Sequence, residues 1–302
     1  TNITVDKNAN MYVGGGISLE NKSSIHNDGT ILIAKNNTGN ADLVDNTNAA
    51  YNYGAGSFIF RGNGLQNIKT NATFGILEVD NKGLNLLSDI SSDKWNLTNG
   101  VVNTGAYYAI AAASQTSWFA GNADNSRFSK SWINGNLRQY ISPASINNYV
   151  LPVGDANRVK LCEMDNLSRN PLTGVKFVNV SFARPQGWYV NATENEMKYK
   201  AVNSAGMWTI IPDAKPASGS YDLKLSVADF PGLWDNRFAV LNRAVADWTV
   251  PAGSSLPADG SFGRTVSGGF AQRNNLKVFN QFAVASMDIL PADATASYKV
   301  YP

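Results

Sequence analysis

The sequence predicts an all-β chain: an N-terminal parallel β-helix or solenoid-like region followed by an antiparallel β-sandwich. Three observations carry this. Short apolar pairs alternate with polar residues in runs of a few positions, the period of a half-buried strand. Asn- and Gly-rich turns separate them. Beyond the stretch Ser131–Asp155, SWINGNLRQYISPASINNYVLPVGD, longer alternating strands appear, with aromatics and spaced prolines. The organisation expected is a repeat region over 1–130, a connecting seam over 131–155 and a sandwich over 156–302.

In the first region the alternating positions are Ile3 and Val5, Met11 and Val13, Ile17 and Leu19, Ile31 and Ile33, and Phe58 and Phe60. Ile76 to Val79, Leu84 and Leu86, Trp95 and Leu97, and Val101 and Val102 follow. Asn27-Asp28-Gly29, Asn63-Gly64, Asn81 to Gly83 and Asn99-Gly100 separate them as turns, because Asn and Gly tolerate positive φ. Strand and turn together recur at roughly ten to fifteen residues. Stacked rungs would let corner Asn side chains hydrogen-bond to the rung above. A plain antiparallel sandwich would carry the same turn residues. Residues 106–120, AYYAIAAASQTSWFA, suit a short helix through their alanines, but the β character of both flanks favours a strand.

At the seam, Trp132, Ile133, Leu137 and Tyr140 alternate imperfectly, and Gly135 marks a bulge or tight bend. In the second region VKFVNVSFARP has apolar residues on both faces, as in a strand covered on both sides. Tyr221, Leu223, Leu225 and Val227 alternate cleanly, and Phe238 to Leu241 and Val278 to Val284 complete the strands. The tail Ser297–Pro302, through Tyr298, Val300 and Tyr301, has high strand propensity. It can pair with its own domain or with another molecule by strand addition.

The 302 residues are 43% apolar and only 16% charged, with a formal net charge of +2. Such a surface depends on neutral hydrogen bonding. Nucleic acid is an unsuitable partner, since phosphate binding needs clustered cations. One cysteine, Cys162, excludes an internal disulfide and suits a small buried apolar role. One histidine, His26, excludes any site that needs two imidazoles from this chain; its IHNDGT context reads as a solvated turn. No apolar run reaches the roughly 20 residues of a membrane helix, so membrane insertion is not expected. TNITVDKN lacks the regions of a signal peptide, which would make an exported chain the mature form.

The chemistry-bearing candidates are sparse. Asp80, Asp89, Asp93 and Asp124 could serve polysaccharide cleavage only if two carboxylates converged; Asp80 and Asp124 lie in turn contexts. Ser91 to Lys94 has an S-x-x-K spacing without its companion motifs. Gly154-Asp155-Ala156-Asn157 could give calcium some of its oxygens, yet such turns usually bond their own backbone. No other cofactor is indicated. N-x-S/T triplets at Asn36, Asn71 and Asn96 are what an Asn-rich chain produces by chance. Trp188, Tyr189, Trp234 and Trp248 could stack on sugars, with Trp234 and Trp248 the glycan contacts singled out, against core or edge packing as the alternative.

The order W-x-x-G-N-L-R-x-Y-I, then Y-V-L-P-V-G-D, is carried by Gly135, Asn136, Leu137, Arg138, Tyr140, Pro152, Val153, Gly154 and Asp155. Trp208 to Ile210, Tyr221 to Leu223, Phe238 to Asn242 and Asn280 to Ala283 continue the pattern. It resembles large secreted surface proteins of the Bacteroidetes, in which a Gly- and Asn-rich β repeat region precedes a sandwich. That resemblance implies export by the type IX route, a place at the cell surface, and a role in adhesion, gliding or surface layers. Such proteins usually end in a separate sorting domain, which this chain lacks, as a trimmed product or a fragment would.

These readings lead to a non-enzymatic extracellular structural or adhesive protein, self-associating into a filament or layer by a heterologous, non-closing contact at the solenoid's open ends. The alternative is a carbohydrate-binding or polysaccharide-cleaving module, with surface glycans as partners.

Overall fold

A computed structural model describes residues 2–34, 43–47, 49–112, 128–185, 190–195, 197–244 and 246–287. The described chain is all-β, with two short 3-10 turns at Phe262–Arg264 and Val266–Gly268. The strands of the first half are β1 (Asn2–Val5), β2 (Asn10–Val13), β3 (Ile17–Leu19), β4 (Ser24–Asn27), β5 (Thr30–Ile33), β6 (Leu43–Asp45), β7 (Ser57–Phe60), β8 (Gln66–Lys69), β9 (Thr73–Leu86) and β10 (Ile90–Ala111). Every pairing among them is parallel.

Three parallel ladders run through this half. One is β1 with β4, continued by main-chain bonds from Asn27 to Tyr53 and from Tyr53 to Thr73. The second is β2, β5, β7, β9 and β10 in turn. The third is β3, β6, β8 and the far half of β9. Parallel, in-register pairing puts equivalent side chains above one another on one face. Apolar columns result. Met11, Ile31, Phe58, Leu77 and Trp95 form one, and Ile17, Leu43, Ile68 and Leu86 another. Both are buried except at Met11, on the first strand of its column.

The expected turns at Asn81–Gly83 and Asn99-Gly100 are corners inside β9 and β10, where the chain bends but the ladder continues. Gly100 shows why: its φ is +93°, and a Cβ there would lie 2.6 Å from the Asn81 carbonyl. Inside the corner, Asn81 accepts from the Gly83 N–H at 2.8 Å and donates to Gln66 Oε1 at 2.6 Å. The expected strand at 106–120 is present to Ala111 as the end of β10, and residues 113–120 lie outside the described residues. His26 lies in β4 rather than in a turn, exposed, with Nε2 3.0 Å from Asp28 Oδ2.

The seam carries β11 (Ile133–Tyr140), β12 (Tyr149–Leu151) and β13 (Val153–Gly154). β11 pairs parallel with β10 and β13, and antiparallel with β15 (Phe177–Ala183). The large sheet therefore changes from parallel to antiparallel at this one strand. Gly135, with φ +125°, sits where the β10–β11 register shifts. It leaves room for the Thr104 hydroxyl, which accepts the Asn136 N–H at 2.8 Å. The Arg138 guanidinium lies 4.6 Å from the Tyr108 ring centre and 4.5 Å from that of Phe177, binding the two kinds of sheet across the seam.

The remaining strands are β14 (Cys162–Asp165), β16 (Thr193–Glu194), β17 (Met197–Pro212), β18 (Tyr221–Ser226), β19 (Phe238–Arg243), β20 (Phe270–Leu276) and β21 (Asn280–Met287). The large sheet continues β11, β15, β17, β21, β19, all antiparallel, and a separate antiparallel sheet has the order β12, β14, β18, β20. The two share a buried core that includes Cys162, Val180, Phe182, Trp208, Leu223 and Phe282. The Trp208 indole N–H donates to the Lys160 carbonyl at 2.9 Å, fixing one sheet to the approach of the other. A second cluster, with Val190, Tyr199, Leu241, Trp248 and Ala285, covers the opposite face of β17, β19 and β21. Burial pushes the Cys162 thiol well above its ordinary pKa, so it sits as an inert apolar group. No described helix is long and apolar enough to cross a membrane.

Candidate functional site

Two features stand out as places where this fold could act: a column of amides on the parallel half, and a polar trench at one end of the antiparallel half. The column is built by register. Asn67, Asn85, Asn103 and Asn134 occupy equivalent positions on β8, β9, β10 and β11. Each later amide donates to the one before: Asn85 to Asn67 at 3.1 Å, Asn103 to Asn85 at 3.2 Å, and Asn134 to Asn103 at 2.9 Å. A neutral ladder of this kind bonds strand to strand without any charge. At the other end of the stack β1, β2 and β3 each have one unpaired edge among the described residues, and Tyr12 on β2 is 70% exposed. Unpaired edges are templates for a further strand.

At the end of β6 lies a buried polar knot. The Asp45 carboxylate accepts from Thr47 at 2.6 Å, Tyr53 at 2.8 Å and Thr70 at 3.1 Å. Burial would raise its pKa, but these hydrogen bonds outweigh burial and hold it below the ordinary value.

The trench is built by loops that the sheets bring together. Arg273 of β20 is fully buried. It donates to the Val240 carbonyl at 2.7 Å and to both oxygens of Glu194, at 2.9 and 2.7 Å. The Tyr199 hydroxyl donates to Glu194 as well, at 2.5 Å. Burial opposes the Glu194 charge, yet these bonds keep its pKa lowered. Beside it Arg264 is 2% exposed. Its Nη2 donates to the Asn236 carbonyl at 2.5 Å and lies 3.3 Å from Asp259, while its Nε has no hydrogen-bond partner. Glu194, Asp259 and Arg264 border a cleft of about 500 Å³. A second, shallower cleft of about 550 Å³ is lined by Leu233, Trp234, Asp235, Arg237 and Val266. The two are neighbours: Arg237 Nη1 lies 3.2 Å from the Sδ of Met197, which borders the first cleft.

Among the sequence candidates, Trp234 is 65% exposed and borders this second cleft. Trp248 is 1% exposed and lies under the Arg243 guanidinium, 4.7 Å from its ring centre, so it packs as core and offers no open face. Asp80 pairs with Arg61 at 2.8 Å, which also reaches Glu78 at 3.5 Å, on an outer strand face. Asp89 accepts the Tyr108 N–H at 3.0 Å. Burial raises the pKa of Asp93. Asp155 Oδ1 accepts the N–H groups of Asn157 and Arg158, at 2.8 and 2.9 Å, and so closes its own turn. No group of three or more His, Cys, Asp or Glu side chains that could hold a metal occurs among the described residues. Asp124, Trp188, Tyr189, Tyr298, Val300 and Tyr301 lie outside the described residues.

Sequence reasoning missed Arg264, Arg273 and Glu194. The Glu194–Arg273 pair spans 79 residues, and no local motif announces it. A scan against protein-family models found no match, and searches of curated proteins and of solved structures found none either.

Proposed function

We propose that this chain is an extracellular structural or adhesive protein that works through its shape and not by making or breaking bonds. In this reading residues 1–130 form a β-solenoid, residues 156–302 a β-sandwich, and residues 131–155 weld them through a shared strand. The observation that carries it is the set of three parallel ladders in register, one of them bonded strand to strand by the asparagine column and continuous with the antiparallel sheet. Such a body is stiff, because bending it must break rows of hydrogen bonds together.

The weakly charged composition and the likeness to secreted Bacteroidetes surface proteins support export by the type IX route to the cell surface. The unpaired edges of β1, β2 and β3 support self-association, in which a second copy adds its own first strands to these. At its other end the parallel stack passes into antiparallel pairing at β15, so a contact through first strands alone closes into a pair. A filament or layer needs a second contact, and the segment with Tyr298, Val300 and Tyr301, whose composition suits a strand, is proposed to make it.

Light scattering on the purified chain across a concentration series tests this. The native chain is expected to show pairs or larger species. Tyr12→Lys, which sets a charge on the edge strand without touching the core, is expected to remain monomeric. A native chain that is monomeric at every concentration and salt sinks the assembly reading.

A further inference from the structure

We infer that the trench around Asn236 binds a carboxylate-bearing oligosaccharide, with the acid group seated on Arg264 and a neighbouring sugar ring stacked on Trp234. This goes beyond assembly and does not depend on it.

The demand for an acid comes from Arg264. A buried guanidinium with an unbonded Nε–H leaves a strong donor unsatisfied. Side-on, Nε and Nη2 together present the fork that a carboxylate fills with two parallel bonds. Among the described residues, the acids beside it do not fill it. Glu194 has both oxygens engaged by Arg273, and one of them by Tyr199 as well. Asp259 stands 3.3 Å from Nη2, and its side chain is 74% exposed, so it can swing aside at small cost. An arriving carboxylate would take its place on Nη2, with the buried Nε as its second donor once Asp259 has moved.

The platform comes from the adjoining loop. Trp234 shows most of its indole to solvent, and a flat exposed ring suits the C–H face of a sugar. The loop is held in place beforehand. The Asp235 carboxylate accepts the Val266 N–H at 2.6 Å, and the Arg237 N–H donates to the Trp234 carbonyl at 2.9 Å. Asn236 joins platform to cation. It donates its N–H to the Arg264 carbonyl at 2.7 Å, accepts from Arg264 Nη2, and takes the Gly260 N–H on its side chain at 2.7 Å. Trp234 is two residues from Asn236, within about 7 Å along the chain. Ring and guanidinium thus border adjoining clefts linked through Asn236, which adjacent units of one oligomer would span, and Arg237 adds a further donor beside the ring.

The test is calorimetric titration of the intact chain with tetramers of galacturonic, mannuronic and glucuronic acid. Neutral galactose, mannose and glucose tetramers and a tetrapeptide with a free carboxyl terminus serve as comparison ligands. At least one uronate tetramer is expected to bind about tenfold more tightly than its neutral counterpart. Trp234→Ala is expected to weaken it about tenfold, and Asp259→Asn, which removes the competing acid, to tighten it by about two- to fivefold. Arg264→Gln should abolish the preference for acid; its melting temperature is compared first, and if it does not fold, the exposed Asp259→Asn change decides. Four results would overturn the inference: no uronate tetramer binds, neutral tetramers bind as well, the tetrapeptide binds better, or affinity is unmoved by both Trp234→Ala and Asp259→Asn.

Discussion

The parallel and antiparallel halves of this molecule solve the same problem differently. Each must bury polar groups among aliphatic side chains. The parallel half does so mainly with neutral groups: the Asn67–Asn134 amide column, the Gln66–Asn81 corner, and hydroxyls gathered around one acid, Asp45. The antiparallel half uses charge: Arg273 with Glu194, Lys224 with Glu163 and Asp165, and Lys160 with Asp229. The difference follows from symmetry. A repeating stack places like above like, and stacked amides attract where stacked charges of one sign would repel. An antiparallel sheet sets unlike positions opposite one another and can pair opposite charges. The repeating half is thereby suited to extension, and the other half to one specific arrangement.

The largest expected effect breaks a charged pair. Arg273→Ala removes a fully buried guanidinium and leaves the half-buried Glu194 carboxylate without its cation, and should cost about 3 kcal/mol in urea unfolding. Replacing both by apolar residues of similar volume should recover most of that loss. If the single and double changes cost the same, the pair is not what holds this region.

In the parallel half the matching change is Asp45→Ala, expected to cost about 2–3 kcal/mol because several hydroxyl donors lose a charged acceptor. Asp45 and Glu194 both have lowered pKa values in the fold, against ordinary values of 3.8 and 4.5. The stability they contribute is therefore present above those values and is lost as pH falls through the lower folded ones. Glu163 has the opposite sign. Burial raises its pKa, so it costs stability as pH rises above its ordinary 4.5. Glu163→Gln should then raise the urea midpoint at pH 7 and change it little below pH 4. Equal shifts at both pH values would contradict that sign.

A smaller effect sharpens the picture of the column. Asn85→Ala removes an amide bonded on both sides and should cost about 1–2 kcal/mol. Asn134→Ala removes the last member, bonded within the column on one side, and should cost less. Equal losses would mean that the second bond of an interior member adds no stability.

Much of the fold was legible in the sequence. Alternation placed most of the strands and Gly135 was read as a bulge or bend, but β4 was read as a turn and β6, β8, β16 and β20, short or largely polar, were not read. The segments at Asn81–Gly83 and Asn99-Gly100 were read as turns that reverse or corner the chain; they are corners, and the ladder continues through them. The column was half visible: Asn67, Asn85 and Asn103 recur at 18-residue spacing, the signature of one rung. The shorter strand-and-turn spacing masked it. The trench was legible only at Trp234. Its cations and acid meet through pairings between distant strands, which a linear pattern does not announce. Trp248 shows the limit from the other side, since a Trp beside a Gly- and Pro-rich loop looks the same whether it faces core or solvent.

The smallest expected change in stability belongs to the most direct test of the proposed role. Tyr12→Lys alters an exposed edge residue and should shift stability by no more than about 0.5 kcal/mol. Its effect should instead be seen in negative-stain images of purified protein. The native chain is predicted to appear as end-joined particles, and the Tyr12→Lys chain as single ones. Single particles for both, at every salt and concentration, would contradict the proposal that this protein acts by joining its stacked strands to those of another copy.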